Sequence, residues 1–397
     1  MPPTVSAIIR QLDERSDTVI YLDNAATTLL KPLMVKQAVL AAMDNCANPG
    51  RSGHKPAMAA AEAVFSCRET AAAFFGLPEP ERVVFTQNAT HALNIAIKSA
   101  LHQGGHAVVT SYEHNSVVRP LEAMAEQGVT YTVAASKLFD PQDMVEQIGR
   151  AIRPDTKCVI VNHVSNVFGF VAPLEQIDAL CARRGLPLIV DASQSAGVLP
   201  LDCSRFQSVI FVCMPGHKGL YGPQGTGILL CCKDCPLHSL TQGGTGSNSL
   251  ELTQPAFLPD VFESGTLNVP GIAGLEAGIR FLQREGLTAV GQRERELADR
   301  FAEQVQQVPG VCCYHCPSCQ AGVVAITGPI PSEELAGRLG AEGICTRAGL
   351  HCSPLAHRSA GTLPDGAVRF SFSWFNTRQE AEAAALTVKK VLKNAEA

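Results

Sequence analysis

The sequence predicts an α/β protein in which helices cover a mostly parallel β-sheet. Short apolar runs rich in β-branched residues alternate with longer stretches of helical spacing, such as Ala89–Ala100 and 173–184. This alternation is typical of parallel sheets, whose strands read as continuous apolar runs because helices bury both of their faces. The predicted strands are 83–86, 107–110, 158–162, 187–191, 208–213 and 227–232.

The later part of the chain predicts a smaller α+β unit. A chain of 397 residues is longer than one hydrophobic core usually serves, so two domains are expected. Residues 241–270 are rich in Gly, Ser, Thr and Pro, which predicts a long functional loop. Residues 275–308 have helical spacing and predict a bridge between the two domains. The smaller unit is completed by predicted strands at 322–327, 343–346 and 367–373 and a helix from Thr377 onward.

Composition and charge argue against several classes of protein. Apolar residues make up 46% of the chain and charged residues 17%, as in globular proteins and unlike disordered ones. The net charge of -5 argues against a nucleic-acid surface, and no apolar run is long enough to span a membrane. Arg10, Asp13, Glu14 and Arg15 lie where a signal peptide would be apolar, so we expect a cytoplasmic protein.

Polar residues cluster directly after the predicted strands. In an open α/β sheet the ligand binds beyond the carboxyl ends of the strands, so these clusters are expected to meet. We therefore predict an active site to which each strand contributes one cluster. The clusters are 86–90, 112–114, 162–166, 191–194 and 215–218.

Two of these clusters contain residues suited to an aldehyde cofactor. Lys218 can form a Schiff base if its surroundings lower the pKa of its amine, although a lysine in a glycine-rich loop is more often a surface residue. Asp191 can pair with a pyridinium nitrogen, or it can cap a following helix. Because each follows its own predicted strand, the cofactor site is the favoured interpretation. The glycines after Lys218 precede a strand and not a helix, which argues against a dinucleotide-binding dehydrogenase.

Six motifs, taken together and in order, resemble the cysteine desulfurases. That family belongs to the class V aminotransferase group of fold-type I enzymes, and the resemblance runs from about Tyr21 to the C-terminus. The motifs are YLDNAATT at 21–28, YEHN at 112–115, HVSNVFG at 163–169, DASQ at 191–194, GHK at 216–218 and ESGTLN at 263–268.

The resemblance implies pyridoxal 5'-phosphate (PLP) as the cofactor. By matching position, Lys218 would hold PLP as a Schiff base and later move the substrate α-proton. Asp191 would pair with the ring nitrogen, and Gln194 would donate to the ring hydroxyl. His114 would stack on the ring and act in catalysis. The further cofactor contacts that the match implies, in part at a helix N-terminus suited to the phosphate, are Ala89, Thr90, Asn166 and His217.

The resemblance also implies a substrate site and a shared dimer. Asn166 and Arg369 would bind the substrate carboxylate, Arg369 in a bidentate fork. Ala25 and Arg347 would complete the substrate contacts. Thr266 would reach the phosphate of the other subunit, which implies a homodimer with shared active sites. No metal site is expected from the match.

Cys352 is the predicted catalytic cysteine, since the family places its cysteine at the matching position. Its thiolate would take the substrate sulfur as a persulfide and release alanine. His351 or Arg347 nearby is expected to favour the thiolate. The alternative is one more buried cysteine among fifteen. The spacing of 17 residues to Arg369 resembles the compact catalytic loop of the Suf-type enzymes, which implies a sulfur-acceptor protein or a reductant.

Two further groups of cysteines leave their roles open. Residues 312–319 contain three cysteines at C-x2-C-x2-C spacing together with His315, a pattern that can hold a metal. A fourth ligand at a familiar spacing is missing. Cys231, Cys232 and Cys235 form the second group. Either group is alternatively a persulfide acceptor, or an ordinary set of thiols kept reduced in the cytoplasm.

The sequence as a whole predicts a homodimeric PLP-dependent cysteine desulfurase acting on L-cysteine. The alternatives are a selenocysteine lyase, another PLP-dependent lyase or epimerase on a small amino acid, and a non-catalytic sulfur-carrier or regulatory paralogue. The resemblance implies a seven-stranded sheet in a large PLP-binding domain at 21–265. It assigns 1–20 and 266–397 to a small α+β domain.

Overall fold

The computed structural model describes residues 19–50, 52–247 and 249–394, so residues 1–18 and 395–397 of the predicted small domain lie outside the described residues. The strands are β1 Ile20–Tyr21, β2 Val83–Thr86, β3 Gly105–Thr110, β4 Val129–Ala134, β5 Thr156–Asn162, β6 Leu188–Asp191, β7 Val209–Pro215, β8 Gly227–Cys231, β9 Cys312–Tyr314, β10 Val323–Thr327, β11 Ile344–Cys345 and β12 Val368–Ser371. The helices are α1 Leu33–Asn45, α2 Lys55–Phe75, α3 Ala89–Ala100, α4 Asn115–Ala123, α5 Pro141–Ala151, α6 Leu174–Arg184, α7 Val269–Glu285, α8 Leu287–Val305, α9 Ser332–Ala341, α10 Pro354–Ala360 and α11 Arg378–Lys393.

A seven-stranded sheet in the order β2-β8-β7-β6-β5-β3-β4 forms the centre of the molecule. All neighbouring pairs are parallel except those of β8, which runs antiparallel to β2 and to β7. This confirms the predicted α/β class with its mostly parallel sheet. The six strands predicted from apolar runs all occur, with ends shifted by up to two residues.

Strand β4 has no counterpart among the six runs. It lies at the edge of the sheet and pairs only with β3. Its central residues Thr130, Tyr131 and Thr132 are exposed or only partly buried, because no strand covers the outer side. An edge strand therefore lacks the continuous apolar run that marks a central strand.

Burial of both sheet faces follows from alternation along each strand. Val159 and Val161 of β5 pack into the core on one face, whereas Cys158 and Ile160 pack into the core on the other. Successive side chains of a strand point to opposite faces, so each strand supplies both cores. Helices cover both faces of the sheet, and the ends of the strands remain accessible to a ligand.

The C-terminal part builds a third core around the antiparallel sheet β12-β10-β9. Leu22 joins this core together with Phe301 and Phe370. The region predicted as one bridging helix at 275–308 consists of α7 and α8, because Gly286, with φ of 86°, interrupts it. The domain boundaries themselves stay predictions. In the described part of the chain, no helix combines the length and apolarity required to cross a membrane.

Candidate active site

The carboxyl ends of the parallel strands open into a cavity of about 210 Å³. The loops after β2, β3, β5, β6 and β7 form most of its wall. The rest comes from residues 25–26 near the N-terminus and from residues between 347 and 369. The structure brings together there every predicted site residue except Thr266. Those residues are Ala25, Ala89, Thr90, His114, Asn166, Asp191, Gln194, His217, Lys218, Arg347, Cys352 and Arg369.

Asp191 and Lys218 reach the cavity from adjacent parallel strands. Asp191 ends β6 and is buried, and the residue paired with it on β7 is Cys213. One carboxylate oxygen of Asp191 accepts a hydrogen bond from the Ser193 N–H at 2.9 Å. The other oxygen accepts none from the described residues, so it is available to a ligand. Burial lowers the pKa of Lys218 to about 8, and the nearby Asp191 carboxylate opposes this shift.

The N-terminus of α3 forms one end of the cavity. Asn88 caps this helix, since its side chain accepts a hydrogen bond from the His91 N–H at 2.9 Å. The backbone N–H groups of Ala89 and Thr90 lie in the first turn, where a helix offers no acceptor of its own. Free N–H groups at a helix N-terminus bind anions well, so this end suits a phosphate.

His114 precedes α4 directly and caps its N-terminus. Its Nδ1 accepts a hydrogen bond from the Ser116 N–H at 3.1 Å. A neutral imidazole whose Nδ1 accepts carries its proton on Nε2. Burial lowers the pKa of His114, which favours this neutral form. A neutral ring is suited to stack on an aromatic cofactor.

His217 and Gln194 hold the N-terminal segment of the chain against the site. The Thr27 Oγ1 lies 3.1 Å from His217 Nδ1, and Gln194 Nε2 donates to the Ala25 carbonyl at 2.9 Å. Burial and the nearby Lys218 lower the pKa of His217 to about 4, so its ring is neutral. These contacts explain why Ala25 lines the cavity although it is far from the other site residues in sequence.

Arg369 is buried in β12, at the boundary between the large sheet and the C-terminal unit. Its Nη2 donates to Asp23 Oδ1 at 2.5 Å and its Nη1 donates to the Asn166 carbonyl at 3.0 Å. Its buried Nε has no partner among the described residues. The guanidinium is therefore oriented by the protein, and three of its five N–H donors have no partner among the described residues.

Cys352 lies on a strained loop that two other segments hold in place. His351 and Cys352 have φ of 52° and 57°, and such left-handed residues cost of order 1–3 kcal/mol each when they are not Gly. The Asn115 N–H donates to the Cys352 carbonyl at 2.8 Å. Asn166 Nδ2 donates to the His351 carbonyl at 2.9 Å, and Ser353 Oγ donates to Asn166 Oδ1 at 2.7 Å. These bonds stabilise a conformation in which the Cys352 thiol is exposed at the cavity.

His351 is placed to orient the loop and not to supply charge. Burial and the nearby Arg369 lower the pKa of His351 to about 3, so its ring is neutral. Its Nδ1 lies 3.4 Å from His357 Nε2, and its Nε2 lies 3.0 Å from the Arg347 carbonyl. Of the two residues expected to favour a thiolate, neutral His351 supplies no charge, and Arg347 lines the same cavity as Cys352.

Thr266 lies in a separate cavity of about 180 Å³, which Gly225, Thr241 and Asn268 also line. The segment before Thr266 is anchored by Glu263, which forms a buried ion pair with Arg68 and accepts a hydrogen bond from the Phe85 N–H. Thr266 thus does not join the cavity of its own chain. The contact of Thr266 with the other subunit stays a prediction.

Several residues that line the cavity belong to the predicted clusters but received no individual role from the sequence. Asn88 precedes the first turn of α3, and Asn before a helical pattern is a recognisable cap signal. Ser193 lies in a predicted cluster and Ser116 outside all of them, and both act through turns next to Asp191 and His114. Asn162 ends β5, and its buried Oδ1 has no partner among the described residues.

The donor set suits a flat, phosphorylated, aldehyde-bearing group. The helix N-terminus of α3 accommodates an anion, the free oxygen of Asp191 accommodates a protonated ring nitrogen, and Lys218 is an amine of lowered pKa. Among the described residues, no group of three or more His, Cys, Asp or Glu side chains is placed to hold a metal ion.

The cavity has the donor set of an enzyme that binds a phosphorylated aldehyde cofactor, and the aminotransferase class-V family model matches residues 20–384. The chain belongs to this family, and membership implies the use of PLP. Several curated proteins to which this chain is similar are named as probable cysteine desulfurases. A probable cysteine desulfurase from Methanothermobacter thermautotrophicus is 30% identical over 385 residues, which cover 94% of each chain.

Two further comparisons give cysteine desulfurases as well, and the first of these proteins is longer than this chain. A probable cysteine desulfurase from Mycobacterium leprae is 30% identical over 387 residues, and the match covers 94% of this chain but 62% of that protein. The chain thus spans less than two thirds of that relative. The solved apo structure of the cysteine desulfurase from Thermococcus onnurineus superposes with a TM-score of 0.86 at 29% identity, covering 95% of both chains.

Proposed function

We propose that the chain is a PLP-dependent cysteine desulfurase that converts L-cysteine into L-alanine and a Cys352 persulfide. One observation carries the proposal: the amine of Lys218 and the exposed thiol of Cys352 line the same cavity as Asp191 and Arg369. An amine, a thiol, a carboxylate and a guanidinium are the groups that this reaction needs. The names of the similar proteins support the proposal.

The residues at the base of the cavity would hold the cofactor. The N–H groups of Ala89 and Thr90, together with His217, would bind the phosphate. Asp191 would keep the ring nitrogen protonated, and neutral His114 would lie against the ring. Gln194 has a second amide hydrogen for the ring hydroxyl, since one already reaches the Ala25 carbonyl. When bound, PLP supplies an electron sink for cleavage of bonds next to the substrate amine.

The residues at the rim would bind the amino acid and take its sulfur. Arg369, which lines the cavity, would offer the guanidinium donors that its protein partners leave unused to the substrate carboxylate. Lys218 would remove the α-proton and return a proton at the carbon left by sulfur. The Cys352 thiolate would attack the sulfur, so the carbon–sulfur bond breaks as a sulfur–sulfur bond forms. One L-cysteine and one thiol thus become one L-alanine and one persulfide.

The test is alanine release from L-cysteine by purified, PLP-loaded protein with a thiol reductant present. We expect continued turnover with reductant and about one alanine per subunit without it, because the persulfide must be removed before Cys352 can react again. L-selenocysteine is assayed in parallel. Alanine from selenocysteine alone would replace the proposal by a selenocysteine lyase, and alanine from neither would leave a PLP protein with a different substrate.

The pH dependence of cofactor uptake tests the environment of Lys218. Only the neutral amine attacks an aldehyde, and burial lowers the Lys218 pKa from 10.5 to about 8. The neutral fraction grows as pH rises through that pKa, so uptake of PLP by the apoprotein should accelerate about tenfold per pH unit below pH 8. Above it the rate should level. A rate that still climbs tenfold per unit up to pH 10 would show an ordinary lysine.

We also propose a homodimer in which Thr266 contacts the phosphate of the partner subunit. Large apolar side chains on α1 and α2 are exposed at helical spacing, which is typical of a face covered by another chain. They are Leu33, Leu40, Met43, Met58 and Phe65. Light scattering should give twice the mass of 42.1 kDa. A monomer that takes up PLP and releases alanine would exclude the shared site.

A sulfur-acceptor protein is the proposed partner of the exposed thiol. Cys352 also lines a second, adjoining cavity of about 280 Å³ between α3 and α4, to which Asn94, Arg119 and Pro120 contribute. This opening would let an acceptor thiol approach Cys352 without passing the cofactor. A cytoplasmic location is part of the proposal, since all fifteen cysteines are free thiols.

A further inference from the structure

Two cysteines outside the cavity form a close pair in a tight turn. Cys316 and Cys319 flank Pro317 and Ser318, and the Cys319 N–H donates to the Cys316 carbonyl at 3.2 Å. Proline suits the second position of such a turn because its ring restricts φ. The turn brings the two sulfur atoms to 3.3 Å from each other. A covalent disulfide of about 2 Å requires a movement of only about 1 Å.

The two thiols differ in the way that thiol–disulfide exchange requires. Burial alone would raise the pKa of Cys316, but hydrogen bonds from the Ser318 hydroxyl and the Cys319 thiol lower it overall. Burial and the neighbouring Cys316 raise the pKa of Cys319 to about 12. Thiolate is the attacking form, so Cys316 is the sulfur that reacts first.

The turn is anchored on both sides, so it keeps its position while the thiols react. The Cys316 N–H donates to Gln320 Oε1 at 2.7 Å, and Gln320 Nε2 donates to the Phe168 carbonyl at 2.7 Å. The Val171 N–H donates to the Cys319 carbonyl at 2.8 Å. These bonds fix the backbone. Apart from each other, the two sulfur atoms have among the described residues only the weak contacts of Cys316 with the Ser318 hydroxyl at 3.3 Å and of Cys319 with the Phe139 carbonyl at 3.7 Å.

The remaining polar groups nearby do not make the turn a metal site. His315 Nε2 lies 2.7 Å from Asp299 Oδ1, so its ring is engaged with another side chain. Cys316 and Cys319 do not belong to any group of three potential ligands among the described residues. The pair of sulfurs thus stands alone as a two-thiol unit.

We propose that Cys316 and Cys319 form a thiol–disulfide exchange site that reacts with small or protein disulfides. The Cys316 thiolate attacks one sulfur of a disulfide RSSR, forms a mixed disulfide and releases RS⁻. That RS⁻ takes the proton of Cys319, whose sulfur attacks Cys316 and releases the second RS⁻, which is protonated by water. The dithiol thereby loses two electrons and two protons, and RSSR becomes two RSH. A dithiol reductant reverses the reaction. This inference does not depend on the proposed desulfurase activity.

The test uses the PLP-loaded full-length protein and oxidised glutathione as the probe. After blocking with iodoacetamide and digestion, mass spectrometry should show a peptide joining Cys316 to Cys319 that has lost two hydrogens. Dithiothreitol should restore both thiols. Cys319→Ser should accumulate glutathione on Cys316 at least about tenfold faster than Cys316→Ser accumulates it on Cys319, since the thiolate fractions differ. Cys312→Ser, which removes an exposed neighbouring thiol, should leave the disulfide unchanged.

Two results would overturn the inference. One is a wild-type protein in which Cys316 and Cys319 both remain open to iodoacetamide after exposure to oxidised glutathione. The other is equal glutathione uptake by Cys316 and Cys319 in the two single variants. The wild-type peptide map decides the first without any variant, so a misfolded variant, recognised by its loss of PLP absorbance, leaves that test intact.

Discussion

Lys218→Ala is expected to abolish alanine release and to leave any bound PLP unlinked to the protein. The reason is that Lys218 supplies the only proposed amine for the cofactor aldehyde and the proposed base for the substrate α-proton. Loss of a positioned acid–base group alone costs about 10²–10⁴ in rate. Borohydride reduction followed by peptide mass spectrometry should find PLP on the peptide containing Lys218 in the wild-type protein and on no peptide in the variant.

The matched control is Lys137→Ala, which removes an amine from the loop after β4, outside the cavity. This variant should keep both the covalent PLP and the activity. Covalent PLP in the Lys218→Ala variant, or wild-type labelling at another lysine, would contradict the role of Lys218. Retained covalent PLP with lost activity in the control would instead indicate a folding or assembly defect.

Cys352→Ser is expected to bind L-cysteine but to lose turnover by at least about 100-fold. Serine preserves the shape of the side chain, yet its hydroxyl is a far weaker nucleophile toward sulfur at neutral pH than a thiolate. The loop should keep its conformation, because its anchoring bonds use the carbonyl groups of His351 and Cys352 and the side chains of Asn166 and Ser353. Substrate binding is followed by the change in the visible spectrum, and persulfide by alkylation and mass spectrometry.

Cys312→Ser serves as the matched control, since Cys312 is also exposed and lies outside the cavity. It should retain normal alanine release and a persulfide on Cys352. Unchanged cysteine turnover in Cys352→Ser would remove this residue from the reaction. Loss of the spectral response to cysteine in that variant would assign Cys352 to substrate binding in place of sulfur transfer.

The strand ends are the part of the site that sequence reasoning locates best. Asp191 and Lys218 each follow an apolar run long enough to predict a buried strand, and parallel strands deliver their ends to the same edge. Asn88 lies in a predicted cluster, but its role as a helix cap was not predicted even though the pattern is local. Strand β4 was missed because an edge strand with Thr and Tyr has no apolar run.

The conformation of the Cys352 loop cannot be predicted from the residues next to it in sequence. The motif match selects Cys352 among fifteen cysteines, but nothing near it in sequence predicts left-handed backbone at His351 and Cys352. That conformation depends on Asn115 and Asn166, which arrive from the ends of β3 and β5. Similarly, the neutral state of His351 follows from burial, which a single sequence does not report.

The sequence by itself determined the α/β class, six of the seven strands of the large sheet, and the family to which the chain belongs. It could do so because apolar periodicity and short motifs are local properties of the chain. The tertiary structure alone decided that Arg369 pairs with Asp23 across 346 positions, that Thr266 lies apart from the main cavity, and that Cys316 and Cys319 meet at 3.3 Å. These contacts depend on how separate elements pack and on how a turn orients its side chains. The linear pattern of residues specifies neither the packing nor the orientation.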